Sequence, residues 1–369
     1  MIDELGHRER VFKSLNHQKP DRTPVDDSWT AQIRSDTWEK LKNHLRLQDD
    51  EDVRRRLRFD FRYACEGQAL DFIKDHRSAF VPAPFPGYYR KTPDGLLEDE
   101  WGVMWKPNID GLFWRYAIHP LAKDEALDSY EFPSLGAAGR WEEAESSVKR
   151  FKDEYVINAF MHKTLFETAW GLRGFSAFLT DLLTRPSYAN RLLDRLLEYR
   201  MEEGERFLEI GADIIQLGDD LGTQERMMIS PDIWRRYFKP RMKTLIDHLK
   251  KHAQSEVHFF YHTDGFAEPV IPELIEIGID ILNPVQPESM QPEKIKKAFG
   301  DKLILWGTIS VQKTLPFGSV QEVGNEVTHR IRTCGYDGGL VIAPTHSPLP
   351  DCPPENIVTM YDTAVSTRL

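Results

Sequence analysis

Several short apolar runs in this chain end on side chains that can take part in chemistry. Runs of this length, bounded by turn residues, are typical of β-strands buried on both faces. Where such strands alternate with helices, the side chains at the strand ends project into one mouth, and chemistry collects there. The residues at the ends of the runs 213–220, 257–265, 279–286 and 339–346 are Asp219 and Asp220, His262 and Asp264, Gln286, and His346. The pattern predicts an enzyme.

The H-x-D pair formed by His262 and Asp264 has the residue types of a metal site. Zinc accepts histidine nitrogens and carboxylate oxygens, and a catalytic zinc keeps one position open for substrate. With His346 as a distant third ligand, the pattern predicts zinc bound by His262, Asp264 and His346. Without a metal, the same histidines would act as acid groups together with Asp219, or would be ordinary structural residues of two loops.

Asp219 and Asp220 directly follow a predicted strand, and two explanations of the pair remain open. An aspartate in this place can cap the next helix or close a turn. Two adjacent carboxylates are more than capping needs, so we expect one of them to lie in the pocket.

Further side chains are expected to line the mouth and contact the substrate. The predicted polar contacts are Asp27, Asp60, Glu167, Asp220 and Gln286, and the predicted aromatic contacts are Trp29, Phe160 and Phe166, with Trp105 from a region rich in Pro, Gly and aromatics. The aromatic side chains have an ordinary alternative as members of the hydrophobic core.

These side chains need a scaffold that brings strand ends together. Strands are predicted at 22–29 and 57–64 and at six runs after residue 140, all separated by helical sequence. Eight strands alternating with helices predict a single (β/α)8 TIM barrel over residues 1–369. Residues 80–135 predict a β-hairpin insertion near the mouth. A doubly wound open sheet is the alternative, but the chain has neither a G-x-G-x-x-G after a strand nor a P-loop.

Charge and composition disfavour several other classes. The net charge of −11 leaves no basic stripe to neutralise phosphates, so we expect no nucleic-acid partner. Apolar runs stay below the length of about 18 residues that suggests a membrane helix, and the first residues are charged, so we expect a cytoplasmic protein without membrane contact. Three cysteines without C-x-x-C spacing predict neither a disulfide framework nor a thiolate zinc site.

Longer stretches of the chain resemble the uroporphyrinogen decarboxylase superfamily. The similar segments are RERVFKSLNHQKPDRTPV, DEWGVMW, LFETAWGLRGFSAFLTDLL, IIQLGDDLGTQERMMISPDIWRRYFKPRMK, YHTDG and APTHSPLPDCPPENI. Together they span nearly the whole chain. The resemblance implies a (β/α)8 barrel that either decarboxylates uroporphyrinogen or moves methyl groups to or from a corrinoid bound on a partner protein.

One segment argues against the decarboxylase branch. True decarboxylases carry an R-Q-A-G-R segment after the first strand that binds the acidic tetrapyrrole, whereas this chain has DDSWTAQIRSD at 26–36. Acids at this place, with Asp60, would repel a substrate that carries many carboxylates. His346 matches a late histidine of the decarboxylases, so a decarboxylase of carbon–carbon lyase type remains the alternative.

The methyltransferase branch is closer. Its thiol-activating members bind zinc through H-x-C after one strand and a cysteine after the last, and here these places hold His262-Thr263-Asp264 and His346. Nitrogen and oxygen ligands suit a zinc that polarises oxygen. The resemblance therefore implies a methyltransferase that takes a methyl group from a small methylated substrate, most simply an O-methyl compound, and passes it to Co(I) of a corrinoid-binding partner. A non-catalytic barrel that binds a partner is the second alternative, and a homodimer is left open.

Overall fold

The computed structural model describes residues 4–27, 35–81, 87–107, 114–161 and 163–369. It contains a curled parallel sheet of seven strands, a separate antiparallel sheet of five strands, and helices that follow the parallel strands. The parallel strands are β1 Phe61–Cys65, β7 Val156–Phe160, β8 Ile214–Gly218, β9 His258–His262, β10 Ile281–Asn283, β11 Ile304–Trp306 and β12 Leu340–Val341. The antiparallel strands are β2 Ser78–Val81, β3 Gly87–Lys91, β4 Leu97–Glu98, β5 Met104–Pro107 and β6 Trp114–Ile118.

The helices lie between the strands, as the helical stretches of the sequence predict. They are α1 His7–Leu15, α2 Ser35–Leu45, α3 Asp50–Arg56, α4 Leu70–Lys74, α5 Ala126–Ser129, α6 Glu142–Phe151, α7 Phe166–Arg173, α8 Phe175–Thr184, α9 Pro186–Ile210, α10 Pro231–Ile233, α11 Lys239–His252, α12 Ile271–Ile277, α13 Pro292–Phe299, α14 Thr314–Phe317, α15 Val320–Cys334 and α16 Pro354–Ser366. A π-helical turn, Trp234–Phe238, joins α10 to α11. Among these described helices, none combines the length and apolar character needed to cross a membrane.

The parallel strands follow one another in space in their chain order, from β1 to β12. Neighbouring strands in this order are what successive right-handed βα units produce. The side chains of β8 and β9 are buried along the whole strand. One face of the sheet packs in the main hydrophobic core with the helices, and the other face packs in a smaller, second apolar cluster. The sequence predicts these strands correctly as uninterrupted apolar runs.

The second apolar cluster gathers buried side chains from all seven parallel strands beneath helix α1, which contributes Val11 and Leu15. Arg8 of α1 donates to the backbone oxygen of Tyr155 and pairs with Asp213, the residues just before β7 and β8. Helix α1 therefore covers the amino ends of the strands. The carboxyl ends are left for the candidate site.

The predicted first strand, 22–29, forms only a short extended segment in its described part. Val25 makes a single parallel bridge to Ile342, next to β12, and its carbonyl accepts from the N–H of Asp60, next to β1. Pro24 has no N–H to donate, so the segment cannot build a continuous ladder. Both edges of the seven-stranded sheet are thus tied to the same three residues, 24–26.

The region predicted as a β-hairpin insertion, 80–135, contains most of the antiparallel sheet. Its strands β2 to β6 pair consecutively, each with the next along the chain, and the sheet lies between β1 and β7 in the sequence. The turn between β3 and β4 has Gly95 with φ +83°, as the P-D-G motif predicts. The second predicted turn, I-D-G at 109–111, lies outside the described residues.

Asp60 lies at the amino end of β1, far from a mouth at the carboxyl ends. Its carboxylate accepts hydrogen bonds from Arg10 at 2.9 Å, from Arg22 at 2.8 Å and from the N–H of Val25 at 2.9 Å, and it lies 2.7 Å from His7 Nδ1. Burial alone would raise the pKa of Asp60, but the charge of Arg22 and the contacts with His7 and Arg10 hold it well below the usual value. The structure does not bring Asp60 to the predicted substrate contacts.

Replacing Asp60 by Asn should lower the free energy of unfolding by about 3–5 kcal/mol, because two buried guanidinium groups then face a neutral amide. Chemical denaturation near pH 7 measures this loss. The lowered pKa means that Asp60 stabilises the fold above about pH 4 and that this contribution fades as the pH falls further. Below about pH 4, the free energy of unfolding of the variant should therefore fall less steeply with falling pH than that of the wild type.

Asp362→Asn is the matched control, since it breaks the ion pair of Asp362 with Arg56, in which both side chains are about half exposed. Screening by water keeps such pairs below about 1 kcal/mol. Equal losses in the two variants would contradict a structural role for the Asp60 cluster.

Candidate functional site

Three polar side chains meet at the carboxyl ends of β8 and β9. His262 is the last residue of β9 and is buried, while Asp220 and Asp264 lie in the loops that follow the two strands. His262 Nε2 lies 3.5 Å from Asp220 Oδ1 and 3.9 Å from Asp264 Oδ1. One potential ligand atom of each residue lies within 4.8 Å of those of the other two. We call Asp220, His262 and Asp264 the mouth triad.

The ring of His262 is held in one orientation by the neighbouring strand. Its Nδ1 lies 2.7 Å from Asn283 Oδ1, and Asn283 Nδ2 donates to the backbone oxygen of Trp306 at 2.9 Å. Because the amide N–H of Asn283 is committed to that carbonyl, its oxygen accepts from His262. Nδ1 therefore carries the proton, and Nε2 faces the two carboxylates. Histidines that bind metals are commonly oriented in this way.

The loops that carry the two aspartates pack so closely that a glycine is needed between them. Gly265 has φ +75°, and a Cβ at this position would lie 2.4 Å from the backbone oxygen of Thr223. The N–H of Asp264 donates to Asp220 Oδ1 at 2.9 Å. Gln286, after β10, accepts from the N–H of Gly265 at 2.7 Å and donates to Asp264 Oδ1 at 3.2 Å. Gln286, predicted to contact substrate, thus supports the mouth triad.

Burial and charge shift the protonation of the triad. Burial would lower the pKa of His262, but the hydrogen bond with Asp220 and the charges of Asp264 and Asp220 raise it to about 9. Burial raises the pKa of Asp264, against the opposing charges of His262 and His346. At neutral pH, two carboxyl groups therefore share the site with an imidazolium, and the same atoms can hold either a proton or a divalent cation.

His346 lies at the same end of the sheet, after β12, and is half-buried. It is near enough to Asp264 for its charge to act on the pKa of that carboxyl group. Among the described residues at this mouth, the ligand atoms of Asp220, His262 and Asp264 lie close to one another. His346 does not belong to this group. Two of the three predicted zinc ligands are therefore brought together, with Asp220 beside them, and the zinc itself stays a prediction.

Asp219 caps a helix that begins far away in the sequence. Its buried carboxylate accepts from the N–H of Leu165 at 3.1 Å and from the N–H of Glu167 at 2.9 Å, at the first turn of α7. Burial raises the pKa of Asp219 to about 6, against these hydrogen bonds. Asp219 thus caps a helix, but this helix is α7, which precedes it, and not the next helix in the sequence. Asp220 is the member of the pair that lies beside His262.

A cavity of about 320 Å³ lies between the antiparallel sheet and the carboxyl ends of β1 and β7. Its aromatic walls are Tyr89, Trp101, Trp105, Tyr116 and Phe160. The Trp105 ring lies 4.1 Å from that of Tyr116, and its Nε1 donates to Asp99 at 2.7 Å. Rings held from behind in this way present rigid apolar faces to a ligand.

The cavity also contains ionisable groups, with more acids than bases. Five carboxyl groups line it against three cationic side chains; the acids are Glu66, Asp99, Glu100, Glu167 and Glu203, and the bases are Arg140, Lys163 and Arg200. Arg140 pairs with Glu66 and Glu100, and Arg200 pairs with Glu203. Both arginines are already matched by carboxylates.

Glu167 joins the cavity to the mouth triad. Its side chain lines the cavity, and its Oε2 accepts from the N–H of Asp220 at 3.1 Å. Burial and the charge of Asp220 raise the pKa of Glu167 to about 8, although Lys163 opposes the shift. At neutral pH, this carboxyl group therefore holds a proton beside the cavity.

The remaining predicted substrate contacts lie in different surroundings. Phe160 ends β7 and lines the cavity. Phe166 is fully buried and packs against Phe238 and Phe178, so it follows the alternative explanation as a core aromatic. Asp27 is buried 3.6 Å from Arg54 Nε. Trp29 lies outside the described residues.

Sequence reasoning missed most of the cavity. Lys163, whose ammonium lies 5.7 Å from the centre of the Trp105 ring, follows β7 and was not singled out. Tyr89, Trp101 and Tyr116 come from the antiparallel insertion, where the aromatic-rich composition was the available signal. Composition shows that such a region forms a pocket wall, but only the register of the strands shows which rings face inward.

Comparisons with known proteins place these features in a family. The profile of the uroporphyrinogen decarboxylase (URO-D) family matches residues 150–366. A methyltransferase from Methanosarcina mazei has a similar fold, with a TM-score of 0.69 and 17% identity over 98% of this chain and 99% of that chain. Xylanase B from Clostridium stercorarium F9 is a much weaker match, with a TM-score of 0.39 and 11% identity over 62% of this chain and 77% of that chain. No curated protein sequence matches significantly.

The profile match spans more than half of the chain and contains the mouth triad, Asn283 and Gln286. The full-length similarity to the methyltransferase adds the fold of the first 149 residues, including β1 and the antiparallel sheet. Both findings agree with the resemblance seen in the sequence segments. The protein is a member of the uroporphyrinogen decarboxylase family.

Proposed function

We propose that this protein is a methyltransferase that takes a methyl group from a small methylated compound and passes it to the reduced corrinoid of a partner protein. The observation that carries the proposal is the mouth triad beside an aromatic cavity, with Glu167 joining the two. The family membership and the fold shared with a methyltransferase support the class of reaction.

We also infer a single domain in which residues 23–26 take the eighth strand position of a (β/α)8 barrel.

The mouth triad fits a zinc ion by the chemistry of its donors. It offers one imidazole nitrogen, fixed by Asn283, and two carboxylate oxygens, which leaves coordination positions open. Zinc with such ligands supplies electrophilic polarisation of an oxygen that leaves with the electron pair of its bond. His262, Asp220 and Asp264 would hold it.

The aromatic cavity fits the substrate, for which a methoxylated aromatic compound is our first choice. Trp105, Tyr116 and Phe160 supply apolar faces for a ring, and the cavity volume is in the range of small-ligand pockets. When the methyl group moves to the cobalt, the electron pair of the carbon–oxygen bond stays on oxygen, which then needs a proton or a positive charge. Glu167 carries a proton at the cavity wall for this purpose.

The reduced corrinoid of the partner is the proposed nucleophile. Burial raises the pKa of Cys352 to about 12 and also raises that of Cys334, so neither is a ready thiolate. The third cysteine, Cys65, lines the cavity, and a mass measurement distinguishes it from the corrinoid as the acceptor. A reduced corrinoid is a nucleophile strong enough to cleave a methyl ether, and the protein would contribute orientation and activation. The proposal therefore includes the corrinoid-binding partner protein that the sequence resemblance implies.

The two alternatives are less well supported. A polycarboxylate such as a tetrapyrrole acid would enter a cavity where acids outnumber bases and both arginines are already paired. A non-catalytic barrel would not need groups such as His262 and Glu167, whose pKa values are raised to about 9 and about 8. The experiments below can still favour the decarboxylase over the methyltransferase.

His262→Ala should lower the affinity of the mouth for zinc by more than about 100-fold, since outer contacts alone contribute about 10–100-fold. Asn283→Ala should lower it by about 10–100-fold, because Nε2 is then no longer aimed at the carboxylates. Competition with a chromophoric zinc chelator measures both values, in a His252→Ala background that removes the other group of possible metal ligands, Glu205, His248 and His252.

His346→Ala decides between the two ligand sets. If the mouth triad holds the metal, this variant keeps an affinity within about tenfold of the wild type. A loss as large as that of His262→Ala would restore His346 as a ligand. Absence of tight zinc in the wild type after supplementation would retire the metal role.

Methyl transfer is tested by mixing the enzyme with a reduced corrinoid protein and a panel of methoxylated aromatics and methylamines. We expect the absorbance of the reduced corrinoid to disappear with at least one methoxylated member, together with stoichiometric release of the demethylated product. Without corrinoid protein, the mass of the enzyme should stay unchanged, and a gain of one methyl group would instead point to Cys65 in the cavity as the acceptor. Release of carbon dioxide from a carboxylated pyrrole, without methyl transfer, would favour the decarboxylase.

Trp105→Ala should raise KM for the accepted substrate about tenfold, since removal of a ring face costs about 1.5 kcal/mol of apolar contact. Trp105→Phe keeps a ring and should recover most of the affinity. Steady-state kinetics with both variants shows whether the substrate binds in the cavity or on another surface. A KM unaffected by Trp105→Ala would place the substrate elsewhere.

A further inference from the structure

We infer that the protein binds a second divalent metal ion, of the zinc class, on its outer surface between helices α9 and α11. The ligands are Glu205 of α9 and His248 and His252 of α11, which we call the α9–α11 site. One potential ligand atom of each residue lies within 4.8 Å of those of the other two. The inference is independent of the proposed methyl transfer.

The two histidines share one face of their helix. His248 and His252 are four residues apart, the spacing that places side chains one above the other on an α-helix. Their ring centres are 4.2 Å apart. Zinc enzymes with two helical histidines use the same spacing to bind one ion.

Both Nε2 atoms face the same oxygen of the neighbouring helix. His248 Nε2 contacts Glu205 Oε1 directly, and His252 Nε2 lies 3.8 Å from that oxygen. The three groups thus converge on one region of space with two nitrogens and a carboxylate. This donor set matches that of zinc sites with three protein ligands and a water molecule.

The second nitrogen of His252 is already committed. Its Nδ1 lies 2.8 Å from the backbone oxygen of His248, so Nδ1 donates its proton there and Nε2 keeps a free lone pair. A hydrogen bond from the remote ring N–H to a carbonyl is the usual support of a metal-bound histidine. The ring is therefore prepared for a ligand before any ion arrives.

The two helices are brought together at this place by a glycine. Gly204, next to Glu205, packs against Leu249, next to His248, and a Cβ at residue 204 would lie 2.6 Å from Leu249 Cδ2. Because the helices approach so closely here, the carboxylate of Glu205 can contact His248. A site that joins α9 to α11 would stabilise the packing of both helices.

The surroundings favour a cation that can enter from solvent. The side chains of Glu205, His248 and His252 are exposed by 37%, 23% and 43%. Arg206, the cation next to Glu205, is engaged by Glu145 and Glu209. His248 and His252 lie in the last turns of α11, which leads into the amino end of β9, whereas His262 is at the carboxyl end of that strand. The α9–α11 site would therefore act on stability and not on the chemistry of the mouth.

Zinc titration of a His262→Ala protein tests the inference, because that background removes the mouth triad as a competing site. We expect about one equivalent of zinc bound in competition with a chromophoric chelator, and a rise of ~3 °C in the unfolding midpoint at a zinc concentration 100-fold above Kd. Adding His252→Ala or Glu205→Gln should lower the affinity at least about 100-fold, which reduces the midpoint shift at the same zinc concentration to below about 1 °C.

The controls separate ligation from general effects of histidine loss. His76→Ala, in the same background, removes a side chain that is 90% exposed and should leave zinc binding and the midpoint shift unchanged. Without zinc, all variants should unfold within about 1 °C of the parent, since the ligands are partly exposed surface groups. Zinc binding that survives His252→Ala and Glu205→Gln, or no binding in the His262→Ala protein, would overturn the inference.

Discussion

The fold depends on a buried carboxylate, that of Asp60, which joins helix α1, Arg22 and the segment around Val25 to the amino end of β1. It accepts hydrogen bonds from Arg10 of α1, from Arg22, and from the N–H of Val25 in the segment that ties both edges of the parallel sheet. Two guanidinium groups and one carboxylate are stable in the interior only while each finds its partners. The cluster therefore specifies how α1 and segment 24–26 sit on β1, and hence how the sheet curls.

The two ends of the sheet treat charge in opposite ways. At the amino ends, Asp60 is paired with Arg22 and with Arg10, which also pairs with Asp21, and the pKa of Asp60 is held low. At the carboxyl ends, burial raises the pKa of Asp219 and Asp264, and the carboxylates raise that of His262. Incompletely matched buried groups reduce stability, so a fold tolerates them where they do chemistry. The well-matched end allows the other end to hold such groups.

The sequence predicts the parallel strands and the position of the mouth because both follow from local patterns. Apolar runs mark strands on their own, and parallel strands bring their carboxyl ends together whatever the loops contain. His262 and Asp264 could be chosen from the sequence for this reason. The T-D-G turn that holds Asp264 is equally local, since only glycine fits the left-handed position at Gly265.

Roles that depend on distant partners were not predictable in the same way. Asp219 caps a helix whose first turn lies more than fifty residues earlier in the chain, and Asp60 meets arginines 38 and 50 residues away. Neither partner leaves a mark near the aspartate in the sequence. Phe160, the last residue of β7, and Phe166, six residues later, look alike in the sequence, yet one lines the cavity and the other packs against Phe238.

In the proposed function, specificity and reactivity come from separate parts of the structure. The mouth triad stands on strand ends of the parallel sheet, whose positions follow from the fold that the family shares. The aromatic walls come largely from the antiparallel sheet, which is inserted between β1 and β7 and can change without disturbing the strands. Glu167 contacts both parts, through its side chain in the cavity and through the N–H of Asp220. In the proposed function, the insertion therefore selects the substrate, and the substrate meets the groups of the mouth triad at Glu167, which contacts both parts.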